Sequence, residues 1–124
     1  MPFVTISITP GFSAAQKKQL MQRSSDAVEQ SIGAPLASIR VLLHELQDGC
    51  YLNAGEFNTQ GLMFVVEFIA GRTVEQKAAL IAALSRAGTE TTGIPETEVR
   101  ARLIDFPKAD MGMAGGLSAA ASGR

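Results

Sequence analysis

The sequence predicts an α/β fold of the α+β kind, in which two tandem β-α-β units pool their strands into one four-stranded sheet with both helices on one face. Three observations predict it. The chain matches itself without a gap at an offset of 60 residues. Each copy runs from a short apolar strand into a capped stretch of helical periodicity. Each of those stretches ends at a glycine and passes through a proline into a second strand. In the repeat, Gly11 meets Gly71, Gln16-Lys17 meets Gln76-Lys77, Leu20 meets Leu80 and Ala27 meets Ala87. Farther on Gly33 meets Gly93, Pro35 meets Pro95, Arg40 meets Arg100, Leu43 meets Leu103 and Ala54-Gly55 meets Ala114-Gly115. Two copies of this length fit a duplicated unit; a solenoid needs at least three stacked repeats. Residues 1–124 therefore read as a single domain of two fused repeats, 2–59 and 61–116, with a short C-terminal tail.

Taken in order, Val4 to Ile8 alternates apolar and hydroxyl residues, the period-2 pattern of a half-buried strand, and Phe64 to Phe68 is its counterpart. After a glycine in each copy, Ser13-x-x-Gln16 and Thr73-x-x-Gln76 have the form of a capping box, in which hydroxyl and amide side chains satisfy the first backbone donors of a helix. The first helix presents Leu20, Ser24, Ala27, Val28 and Ser31 along one face; the second presents Leu80, Ile81, Leu84, Ala87 and Thr91. Gly33 and Gly93 are placed to end them in the left-handed conformation. Second strands follow, Ile39 to Glu45 and Val99 to Phe106, at the separation a crossover helix needs to set them parallel to the first. The polar, glycine-bearing stretches Gln47 to Gly55 and Lys108 to Gly116 are candidate pocket walls, folding as a hairpin or a loop over a neighbour. The tail from Leu117 has few anchors and is expected to be mobile, or ordered only by another subunit. The sheet face opposite the helices stays partly apolar, which predicts an oligomer of identical chains.

Composition narrows the function. A net charge of -1 gives no basic field for a phosphate backbone, so nucleic acid is not an expected partner. No apolar run approaches the roughly 20 residues that span a bilayer, and the start lacks the sections of a signal peptide, so no membrane partner and a cytoplasmic location are expected. One cysteine, Cys50, forms no internal disulfide, and one histidine, His44, leaves no His/Cys metal cluster in one chain, so no metal is expected. Both read as structural or exposed residues, and Met21, Met63, Met111 and Met113 read as packing residues.

Met1-Pro2 leading into a strand, the glycine-led helix with Gln16-Lys17, and Gly33-Ala34-Pro35-Leu36-Ala37-Ser38-Ile39-Arg40-Val41 together resemble 4-oxalocrotonate tautomerase, and Gly71-Arg72-Thr73-Val74-Glu75-Gln76-Lys77 resembles it again in the second half. The resemblance covers nearly the whole chain, which makes it similar to the fused, two-unit members of the tautomerase superfamily, with their tautomerase/MIF-like β-α-β fold. It implies a homotrimer imitating the hexamer of single-unit relatives, no cofactor, and acid–base chemistry on a small 2-hydroxy or 2-oxo acid such as 2-hydroxymuconate or phenylenolpyruvate. It also implies that Pro2, its nitrogen bared by removal of Met1, is the catalytic base. The halves differ where this matters: Pro2 aligns with Leu62, and Phe12 with Arg72. In family members with two kinds of unit, the arginine of one unit partners the proline of the other, so the resemblance joins Pro2 and Arg72 in one site. Arg40 and Arg100 match a position that reaches a site from a neighbouring subunit, and either fits. The family's aromatic pocket residue corresponds to Tyr51 in the first half and Met111 in the second; the same crossing of units brings Met111 to the Pro2 pocket.

The chemistry asks for these groups. A terminal proline nitrogen is a secondary amine, whereas an internal one is a non-basic amide. The reference α-amino pKa of about 7.7–8.0 falls in apolar surroundings, which Val4, Phe64 and Phe68 are placed to supply. A base with a pKa near the working pH is the most effective. Arginine's planar fork grips a carboxylate and steadies charge growing on an enolate oxygen. A cation at a helix start opposes the helix dipole, which favours an anion-binding role for Arg72 over a merely solvated one. Arg40 and Arg100 serve equally well as interface ion pairs, and Tyr51 as an interface residue. Two other readings compete. One is a superfamily dehalogenase or decarboxylase in which Pro2 acts as an acid. Relatives hydrating halogenated acrylates carry an arginine and an acidic residue where this chain has Ile69 and Met113, which ranks the tautomerase first. The other is a non-catalytic binding module, indifferent to Pro2.

Overall fold

The computed structural model describes residues 2–123; Met1, whose removal the catalytic-base expectation requires, and Arg124 lie outside them. The main elements run β1 (Phe3–Ile8), α1 (Ala14–Ile32), β2 (Arg40–Glu45), β3 (Leu62–Ile69), α2 (Val74–Thr92) and β4 (Val99–Phe106). Both capping boxes form: the Gln16 amide N–H donates to Ser13 Oγ at 3.1 Å while the Ser13 N–H donates to Gln16 Oε1 at 2.9 Å, and Thr73 and Gln76 repeat the pair at 3.1 and 2.9 Å. Gly33 and Gly93 close the helices at φ of 71° and 79°, where a Cβ would be strained.

The strands lie in the order β2-β1-β3-β4. Within each unit the pairing is parallel, as the crossover helices require, and the units join through the antiparallel pair β1 and β3. That pair carries the core. Val4, Ile6 and Ile8 meet Val66, Phe64 and Leu62 in register, and with Phe68 they are essentially buried on one face of the sheet. Leu20 and Val28 of α1 and Leu80 and Leu84 of α2 pack into the same core. Removing each such side chain from water stabilises the fold by roughly 1.5–3 kcal/mol. Two hydroxyls that face the core are satisfied along their own helix: Ser24 Oγ donates to Leu20 O and Thr91 Oγ1 to Ala87 O, both at 2.7 Å. Equivalent ion pairs tie each helix start to the end of its unit's second strand, Lys17 to Glu45 at 2.5 Å and Lys77 to Asp105 at 2.7 Å.

The opposite face of the sheet exposes Leu42, Met63 and Ile104 and half-exposes Phe3, Val65 and Ile69, the apolar surface the sequence predicts. Two expectations are corrected. Ile81 does not join the buried stripe of α2 but stands exposed at 42%; the stripe turns instead through Gly88 and Thr92, because Gly88 lets the Leu62 side chain come where a Cβ would stand 2.6 Å from it. The described part of the tail is ordered by its own chain. The Met113 and Ala119 amides donate to Leu117 O and Met111 O at 2.7 and 2.8 Å, the Ala120 amide donates to Lys108 O at 3.2 Å, and Ala119 is fully buried. Small Ser, Ala and Gly side chains permit that close backbone folding, so scarcity of large anchors does not leave the segment loose.

Candidate active site

Pro2 precedes β1 and is buried. Its carbonyl accepts the Arg40 amide N–H at 3.1 Å, which extends the β1–β2 ladder to the chain start. In the antiparallel pair, partners have residue numbers summing to 70, as in Phe3 with Glu67 and Ile8 with Leu62. Continued by one residue, the register sets Pro2 against Phe68. The repeat says the same, because Leu62 and Ile8 are the counterparts of Pro2 and Phe68 in the other unit. Val4, Phe64 and Phe68, expected as apolar surroundings, are all but fully buried on the sheet face that Pro2 shares by alternation.

Arg72 stands in the turn between β3 and α2, at the end of β3 that lies beside Pro2. Its Nη1 donates to Ile69 O at 3.2 Å, and its guanidinium carbon lies 5.9 Å from the centroid of the Phe68 ring. The half-buried guanidinium thus keeps most of its five N–H donors for an anion. Pro2, Phe68 and Arg72 therefore gather at one end of the central strand pair, with Phe68 between the other two in the pairing pattern. Comparison of the halves singles out positions 2 and 72; the further change from Ile8 to Phe68 was legible in the same alignment, yet only the strand register ties it to the other two.

The remaining candidates divide between the two ends of the sheet. Arg40 pairs with Phe3 and so sits at the Pro2 end, whereas Arg100 pairs with Met63 at the Leu62 end. Both are exposed and fold back alike: Arg40 Nη1 donates to Ala37 O and Ile39 O at 2.9 and 3.2 Å, and Arg100 Nη1 to Thr97 O and Val99 O at 2.5 and 3.3 Å. Tyr51 crosses to the second unit. Its ring occupies the space a Cβ on Gly61 would need, 2.6 Å away, immediately before Leu62. With Thr9, Pro10, Gln47 to Cys50 and Asn58 to Gln60 it lines a cavity of about 190 Å³ at that end. The loop is anchored there by Asn53 Nδ2, which donates to Glu98 Oε2 at 3.1 Å. The predicted pocket wall thus folds over the other unit of its own chain. Met111, the counterpart of Tyr51, follows the end of β4 where Phe106 pairs with Ile69, on the Pro2 side of the sheet, and is buried. Among the described residues no group of three or more His, Cys, Asp and Glu side chains is set to hold a metal, and no helix is long and apolar enough to cross a membrane.

The family model described as "Tautomerase enzyme" matches residues 2–60 and again 65–121. The 2-hydroxymuconate tautomerase of Pseudomonas putida is 39% identical over 56 residues, 45% of this chain and 89% of that protein. Two solved structures are similar along nearly the full length. Pt0534 inactivated by 2-oxo-3-pentynoate is 75% identical with a TM-score of 0.96, covering 98% of this chain and 99% of that one. The Q0 fused 4-OT, a symmetric trimer, is 48% identical with a TM-score of 0.94 over the same shares.

Proposed function

The chain belongs to the tautomerase family, and from that premise we propose that it is a cofactor-independent keto–enol tautomerase of the 4-oxalocrotonate type, working as a homotrimer on 2-hydroxy acids such as 2-hydroxymuconate or phenylenolpyruvate. The observation that supports this reading is the shared strand end: the buried Pro2 and the half-buried Arg72 come from different units and lie toward the same end of the β1–β3 pair. The similarity to a 2-hydroxymuconate tautomerase supports the substrate class, and the similarity to a fused trimer supports the assembly.

In this mechanism the Pro2 amine, freed by loss of Met1, takes the enol hydroxyl proton. The electron pair of that O–H bond becomes the carbonyl π bond, the conjugated double bond shifts, and the protonated amine delivers the proton to the carbon at its far end. No atom is gained or lost. Arg72 holds the carboxylate or the 2-oxo oxygen, where negative charge grows as the proton leaves. Arg40 or Arg100, whichever a neighbouring subunit brings in, binds the other end of the molecule, and Met111 lines the pocket in place of an aromatic residue. Tyr51, at the Leu62 end of its own chain, has the matching place in the unit that lacks a terminal amine.

The test is the rate of ketonisation of 2-hydroxymuconate and phenylenolpyruvate by the Met1-free protein beside Pro2→Ala and Arg72→Ala. Pro2→Ala exchanges the secondary amine for a primary one and Arg72→Ala removes the cation, so both variants are expected to fall by at least tenfold with the oligomer intact, whereas retention of Met1 removes the base and is expected to cost about 10²–10⁴-fold. Activity untouched by Pro2→Ala and by retention of Met1 overturns the role given to Pro2, and no activity in the Met1-free parent leaves a binding module. Arg40→Ala and Arg100→Ala, assayed separately, identify the second arginine. A conjugated alkynyl ketone accepts amines across its triple bond, so 2-oxo-3-pentynoate is expected to add once per chain, on the Pro2 peptide, without a leaving group. Peptide mass spectrometry checks this, and labelling elsewhere counts against a reactive Pro2 amine.

A further inference from the structure

We propose that Phe68 is a positioning residue, the aromatic platform that holds the Arg72 guanidinium in place for the substrate anion at the Pro2 end of the sheet. The inference rests on the tautomerase reading for its substrate, but the interaction it names is a property of the chain itself.

Three observations carry it. Phe68 is fully buried, so its ring is fixed by the core while its edge of the sheet meets the turn that bears Arg72. The guanidinium carbon lies 5.9 Å from the ring centroid, within the about 6 Å over which a cation is drawn to an aromatic face. The Nη1 bond to Ile69 O supplies a second, directional tether. Two tethers hold a long side chain whose rotamer freedom otherwise costs about 2 kcal/mol to freeze.

The internal duplication provides the comparison. At the other end of the same strand pair, Leu62 stands opposite Ile8, and the turn that follows β1 carries Phe12 in place of Arg72. The two ends thus differ together at three positions: proline, phenylalanine and arginine at one, leucine, isoleucine and phenylalanine at the other. An aliphatic residue suffices to fill the core beside Leu62. A ring is present where a guanidinium must be seated, and it lies in register with the proline whose substrate that guanidinium is to hold.

The test is a double-mutant cycle on trimeric, Met1-free protein, reading the dissociation constant of muconate dianion by calorimetry and kcat/KM for 2-hydroxymuconate. Phe68→Leu keeps the site apolar and removes the ring. It is expected to weaken muconate binding and lower kcat/KM by roughly three- to thirtyfold, the span of a partly desolvated cation–ring contact. In the Arg72→Ala background the same change is expected to alter the dissociation constant by less than about twofold. Equal losses in both backgrounds would show a purely structural role and overturn the proposal, as would an unchanged constant in the single variant. Because binding is read without turnover, the cycle stands even if the Met1-free protein shows no ketonisation, an outcome that sinks the tautomerase reading and not the platform.

Discussion

Three arginines in this chain fold back in the same way, each donating to the carbonyl three residues before it: Arg40 to Ala37, Arg72 to Ile69 and Arg100 to Thr97. What separates Arg72 is the ring beneath it and its partly buried setting. At this scale the sharpest prediction concerns Pro2. On the proposed mechanism apolar surroundings penalise the protonated amine and move its pKa below the reference range of about 7.7–8.0. With the free base as the proposed working form, kcat/KM is expected to hold at neutral pH and to fall tenfold per unit once pH drops below that pKa. A pH–rate profile from about pH 5 to 9 checks it, and an acid limb at or above pH 8 contradicts the apolar setting. A preparation retaining Met1 carries an amide at that nitrogen and is expected to be inactive, with the N-terminal mass as the companion measurement.

At the scale of the element, the two helices are near copies in their devices. Replacing Thr73 by Ala removes one half of a capping box and is expected to cost about 0.5–2 kcal/mol, read as a shift of the urea midpoint at fixed protein concentration. Ser13→Ala is expected to match it, because the geometry is the same. The Lys77 ammonium beside Asp105 holds that carboxyl below its usual value of 3.8, first through the hydrogen bond and then through charge. A carboxyl whose folded pKa is depressed contributes stability above its unfolded pKa and loses it as pH falls through the folded one. Asp105→Asn is therefore expected to flatten the pH dependence of stability below about pH 4, modestly and less at high salt, since the pair is solvent-exposed. Denaturation midpoints at pH 3 and pH 6, in the variant and the parent, decide it.

At the scale of the whole molecule, the open face of the sheet sets the proposed trimer. Ile104→Lys puts a charge on the outer strand β4 of that face without touching the core, and sedimentation is expected to show a shift from trimer toward monomer. An unchanged trimer places the contact elsewhere. The pattern of elements was legible from the residues because caps, terminating glycines and strand alternation act over a few positions, and the 60-residue repeat states each of them twice. Ile81 and the tail were not. Periodicity draws a stripe but not its edges, which depend on what the sheet offers opposite, and small residues fold closely when a neighbouring loop supplies the hydrogen bonds.

The sequence by itself determined the two β-α-β units, their capped helices, the inequality of Pro2 with Leu62 and of Phe12 with Arg72, and the family these residues resemble. Only the tertiary structure decided which strand ends lie together: that Phe68 and Arg72 come to the Pro2 end, that Arg40 shares that end while Arg100 does not, and that Tyr51 lies against Gly61. The physical reason is the antiparallel joining of β1 to β3. It pairs residues more than 50 positions apart, and its register is set by which side chains fill the common core, a fact that no local window of sequence contains.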